Sequence, residues 1–194
     1  MSKQDETSFE QMLAVHSAPT LLGVKCGNLF AVHQSDFCLD ELSEIFESKF
    51  GNMGLKIRFL CSCRERALVY VYSKDLLEMW FAEEKTASFM KEYGYSSDMT
   101  LDEKLSLLES RINCGSFPHE IGAFLGYPID DIRGFIENEG QNFLLCGFWK
   151  VYSNPADAQN TFDRYIFCKN YLCNKIDQGM DLIRALSIFK EETL

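Results

Sequence analysis

Apolar residues recur along this chain at two periods, and the switches between them mark its elements. Leu39, Leu42, Ile45, Phe46 and Phe50 fall on one helical face, with Ser35 and Asp36 ahead of them as helix starters. The glycines of GNMG at 51–54 break that helix. Leu55, Ile57 and Phe59 then alternate with Lys56 and Arg58. A second, more apolar strand over 67–72 lies across the CSCRER loop, which predicts a hairpin. Upstream, residues 8–16 read as a short amphipathic helix. Pro19, Gly23 and Gly27 make a turn-rich lead into a strand at 29–33. The first third is therefore a β–α–β unit followed by a hairpin.

From Ser73 onward the period is helical. Leu76, Leu77, Trp80 and Phe81 mark one helix, and Phe89, Met90 and Tyr93 a further turn. Thr100 and Glu103 form a capping box for a helix carrying Leu101, Leu105, Leu108 and Ile112. Residues 116–138 are the most motif-like stretch and predict two short helices meeting at a sharp turn. Ser116 and Pro118 open the first, and Ile121, Phe124 and Leu125 share its apolar face. Gly126 suits a left-handed C-cap, and Pro128 forces Tyr127 out of helical geometry. Ile129, Ile132, Phe135 and Ile136 stripe the second helix until Gly140. The run over 143–152 then predicts a strand buried on much of both faces. Asn154 and Pro155 open a long helix, and Leu182, Ile183, Leu186 and Phe189 mark the last one. No repeat, low-complexity tract or linker divides the chain. The expectation is a single α+β domain over residues 1–194, with a small mixed sheet of about four strands packed by a helical layer.

Composition narrows what such a domain does. At 194 residues with 46% hydrophobic positions and 16 phenylalanines, the chain can fill a core. A formal net charge of −10 opposes nonspecific binding to nucleic acid and to anionic membranes, because both are polyanions. No apolar run reaches the roughly 18–20 residues needed to span a bilayer. The first ten residues, MSKQDETSFE, lack the apolar core of a signal peptide. A cytoplasmic protein is expected, with a small molecule as its partner and no nucleic acid or membrane. The eight cysteines include no CxxC pair, so reduced structural thiols are expected rather than a metal set of Cys61, Cys63, Cys114 and His119.

Three places carry candidate chemistry. His119 and Glu120, at a helix start, could act as an acid–base pair with the carboxylate orienting the imidazole, or could simply complete the helix cap. Thr20 and Lys25 stand in a loop whose small residues let a ligand approach the backbone, although GVKCG lacks phosphate-loop spacing. Lys150 and Tyr152 end the apolar run over 143–152. They are ligand-binding candidates, against the plainer roles of solvated charge and half-buried anchor. The identity of any cofactor is unknown from the sequence. The residues around Gly126 also permit a helix-turn-helix, with Ile121, Leu125, Ile132 and Phe135 at its core positions. Its second helix would turn Asp130, Asp131, Glu137 and Glu139 toward phosphates against Arg133 alone.

The segments HSAPTLLGVKCGNLF and FPHEIGAFLGYPIDDIRGFIENEGQNFLLCGFWKVY resemble the bacterial family known as domain of unknown function 3793, over roughly residues 10–175. Matching positions include Pro19, Thr20, Gly23 and Lys25, then Pro118, His119, Glu120, Gly122, Gly126, Gly134, Gly147, Trp149, Lys150 and Tyr152. The resemblance implies a cytosolic bacterial protein and brings no catalytic residues with it. The leading expectation is binding of a small anionic ligand or cofactor where the 19–25 loop, the Pro118 helix start and Lys150 meet. An enzyme using His119 and Glu120, and a protein-interaction module, are the alternatives.

Overall fold

The most apolar strand takes the centre of the main sheet. β1 (Gly27–His33), β2 (Leu55–Cys63) and β3 (Arg66–Ser73) run antiparallel in the order β1–β3–β2. Ala67, Val69, Tyr70 and Val71 are all buried, as a strand flanked on both edges requires. The register shifts between Phe59 and Cys61, and Leu60 at that irregularity is fully buried. Cys61 and Cys63 belong to β2, not to a loop, because pairing continues until Cys63 faces Arg66. The structure, a computed structural model, describes residues 3–33, 38–63, 65–113 and 117–193. The expected helix starters Ser35, Asp36 and Ser116 lie outside the described residues, as does Cys114.

The chain divides into two compact units, Met1–Lys74 with Arg164–Leu194, and Asp75–Asp163. In the first unit α1 (Lys3–Leu21), α2 (Leu39–Phe50), α9 (Leu182–Thr193) and the later turns of α8 (Pro155–Asp177) pack with the sheet in one core. Phe9, Leu13, Phe46, Val69, Leu172 and Leu186 belong to it. Leu42, Phe46 and Phe50 of α2 are buried, as their period predicts. Pro19 stands inside α1 rather than in a turn. In the last turn it removes only the hydrogen bond to the carbonyl of Val15, an exposed residue, so water can take that place. The buried carboxylate of Glu10 accepts from Lys49 Nζ at 2.7 Å and from the backbone N–H of Leu182 at 3.2 Å. It thereby satisfies a donor at the start of α9 from the other end of the chain.

The second unit holds most of α3 (Lys74–Ala82), α4 (Glu84–Glu92), α5 (Leu101–Asn113), α6 (Ile121–Phe124), α7 (Ile129–Glu137), a small hairpin and the start of α8. The capping box of α5 forms: Thr100 N–H donates to Glu103 at 2.7 Å, and Glu103 N–H to Thr100 Oγ1 at 3.3 Å. The expected strand over 143–152 does not. It is a hairpin of two two-residue strands, β4 (Leu145–Cys146) and β5 (Lys150–Val151). Positive φ at Glu139, Gly140 and Asn142 diverts the chain before it, and Gly147 N–H closes the turn onto the Trp149 carbonyl at 3.1 Å. The run is therefore not buried on both faces, and Phe143, Leu144 and Phe148 are 41, 61 and 42% exposed. The fold class is α+β, with one three-stranded sheet and this separate pair of strands.

Two glycines let the hairpin close onto its neighbours. A Cβ at Gly134 would lie 2.5 Å from Tyr152 Cβ, and one at Gly147 would lie 2.3 Å from the Phe162 ring. Gly134→Ala and Gly147→Ala should each cost about 1–3 kcal/mol in urea unfolding, the usual cost of overpacking. Wild-type stability in both variants would contradict this packing.

Candidate functional site

The turn between α6 and α7 builds one wall of a cavity. Gly126, at φ 70°, reverses the chain as the sequence predicts, and Pro128 leads into α7. All four residues of α6 are buried, and the indole N–H of Trp80 donates to the Ala123 carbonyl at 2.9 Å. This single turn is held by its surroundings, since a helix so short has little stability of its own. The cavity, of about 310 Å³, lies against α6, α7 and the hairpin. Phe117, His119, Tyr127, Phe135, Trp149 and Lys150 all line it.

Asp131 fastens the hairpin to α7, and sequence reasoning missed it. The side chain is buried, and its two oxygens accept four hydrogen bonds. Oδ2 takes the Trp149 indole N–H at 2.7 Å. Oδ1 takes Tyr152 N–H at 2.8 Å, Ser153 N–H at 2.9 Å and Ser153 Oγ at 2.8 Å. In the sequence it counts only among the acidic residues that a helix-turn-helix would turn toward phosphates. Asp130 does face outward and pairs with Lys85. The available signal was position: Asp131 shares a helical face with Phe135, four residues on.

The predicted site residues sort into three groups. His119 and Lys150 meet at the cavity. The exposed His119 ring lies 5.4 Å from that of Phe135, and its imidazole makes no hydrogen bond among the described residues. Lys150 Nζ donates to the Gly140 carbonyl at 2.6 Å and lies 5.8 and 5.1 Å from the Phe135 and Phe143 ring centres. No carboxylate pairs with it among the described residues. Glu120 and Tyr152 instead support the structure. The buried Glu120 carboxylate pairs with Arg111 and accepts from the Tyr95 hydroxyl at 3.4 Å, so it is spent on α5 rather than on the imidazole. Burial, and then the Glu120 charge, raise the Tyr95 phenol. Tyr152 packs over Gly134, and its hydroxyl has no hydrogen-bond partner among the described residues.

Thr20 and Lys25 belong to the first unit. Thr20 lies in α1 rather than in a loop, is fully buried, and donates to Asn28 Oδ1 at 2.7 Å. The Lys25 ammonium is buried 5.3 Å from the Tyr165 ring centre. Burial pulls it down to about 8 and pushes the neighbouring Cys26 thiol up to about 11. Of the proposed metal set, Cys114 and the Cys63 side chain lie outside the described residues. No cluster of three or more His, Cys, Asp or Glu that could hold a metal occurs among the described residues. No disulfide joins the cysteines whose side chains are described. No helix among the described residues is long and apolar enough to cross a membrane.

Lys25 makes stability depend on pH. Folded, it loses its proton near pH 8, while the unfolded chain holds it to the ordinary 10.5. Between those values the unfolded state binds more protons, so this residue's contribution to stability rises with pH. Below pH 8 its charge costs about 3 kcal/mol relative to the neutral amine. Lys25→Met should therefore gain most on wild type at pH 7 and least at pH 10, as compared by denaturant unfolding at both. A difference that does not change with pH would contradict this.

Neither a curated protein nor a solved structure matches the chain. The family described as "Protein of unknown function (DUF3793)" matches residues 13–186, most of the length, and the chain belongs to that family.

Proposed function

We propose that this protein binds a small anionic organic molecule in the cavity beside α7, in the bacterial cytosol that the family resemblance implies. One observation carries the reading: Lys150, whose ammonium has no carboxylate partner among the described residues, lines a cavity whose walls are largely apolar and include four aromatic side chains, Phe117, Tyr127, Phe135 and Trp149. A charge against apolar walls interacts more strongly than one in open water, and such a site selects ligands of opposite sign. Asp131 also lines the cavity, but its oxygens are already taken by four donors. Binding is favoured over acid–base catalysis because Glu120, the expected orienting group, pairs with Arg111. A protein-partner reading draws on the exposed Phe143, Leu144 and Phe148.

The test is native mass spectrometry of the protein purified from its own host, with His119→Ala and Lys150→Gln beside it. We expect a retained small acid in the wild type and reduced occupancy in both variants. His119 is exposed, so His119→Ala should change stability by no more than about 0.5 kcal/mol. A clean apo mass, or a large loss of stability with occupancy unchanged, would overturn the reading.

A further inference from the structure

Resting on that binding reading, we infer that the ligand is a compact aromatic monocarboxylate, its ring against the aromatic lining of the cavity and its carboxylate on Lys150 Nζ. The walls speak for a flat ring. Tyr127 and Trp149 pack on each other, with ring centres 5.0 Å apart and 30° between their planes, as one continuous aromatic wall, and Phe117 and Phe135 line the same space. Aromatic faces of this kind hold another ring by stacking and edge contacts. Trp149 cannot turn freely, because its indole N–H is fixed on Asp131 at 2.7 Å. A volume of about 310 Å³ is at the small end for a ligand pocket, which suits one ring or two fused rings.

The polar groups speak for a single negative charge. Lys150 gives one proton to the Gly140 carbonyl and keeps two N–H groups. One of these can meet a carboxylate oxygen, and the His119 imidazole on the same cavity, without a hydrogen bond among the described residues, offers a second contact. Phosphate sites are built differently, from converging backbone N–H groups at a helix start or from an arginine fork. This lining contains no arginine and one lysine, and α6 is only four residues long. Asp131 remains a fixed negative charge at the cavity wall, and it disfavours a dianion more than a monoanion.

The test titrates the full chain calorimetrically with four probes: indole-3-acetate, its neutral amide indole-3-acetamide, cyclohexylacetate and phenyl phosphate. Indole-3-acetate should bind, with each of the others weaker by about tenfold or more, the scale of one lost charge-assisted contact or ring stack. Lys150→Met should bring acid and amide to equal affinity. Lys150→Gln, which retains a donor for Gly140, should do the same if the methionine variant does not fold. Tightest binding of phenyl phosphate, lost in the lysine variants, would overturn the monocarboxylate inference and leave the anionic-ligand reading standing. Failure of all four probes beside a co-purified acid of another kind would do likewise. Equal binding of acid and amide to the wild type would overturn both.

Discussion

A carboxylate withdrawn from water must find donors for its lone pairs, and Asp131 finds them in the hairpin that follows α7. The four bonds it accepts come from Trp149, Tyr152 and Ser153, so one side chain fixes both ends of β5 against the helix. The approach is close enough to require glycine at 134, where a Cβ would overlap Tyr152. Everything on the hairpin side of the cavity follows from this clamp. Trp149 becomes a wall of fixed orientation. Lys150, next along the strand, lines the same cavity, with its Nζ 5.8 and 5.1 Å from the Phe135 and Phe143 ring centres.

The first unit solves the same problem in another way. Glu10 is nearly as buried as Asp131, but it takes a lysine and the first amide of α9, a pairing that ties the two ends of the chain into one core. Glu120 in the second unit takes Arg111. Each buried acid is matched by donors from distant sequence, as the cost of leaving it unpaired demands. At Lys25, burial draws the proton affinity of the ammonium down, and the fold bears that cost at neutral pH.

Much of the architecture was legible because periodicity reports which side chains face a core. The stripe Leu42, Phe46, Phe50, the central strand over 67–72, the Thr100–Glu103 box and the Gly126 turn all follow from local rules. What was not legible depended on partners that sequence spacing does not display. Three of the groups bound to Asp131 are backbone amides or a serine hydroxyl some twenty residues on, invisible in side-chain patterning. The run over 143–152 has the composition of a buried strand, but Asn142, Gly140 and Gly147 bend it into a hairpin that leaves Phe143 and Leu144 outside. Of the site residues, His119 and Lys150 do share one cavity. Glu120 lies one position from His119 in the chain, yet its carboxylate serves α5, since successive residues on a turn point in different directions.

The central claim is that the Asp131 carboxylate holds the hairpin, and with it the cavity, in place. Residue-resolved amide exchange on the full chain, wild type against Asp131→Asn, tests this most directly. Asparagine keeps the shape but turns an amide donor toward groups that themselves donate. The account predicts that exchange at Tyr152 and Ser153 accelerates about ten- to a hundredfold, while the strands β1 to β3 are unchanged. Equal protection of Tyr152 and Ser153 in the two proteins would contradict it.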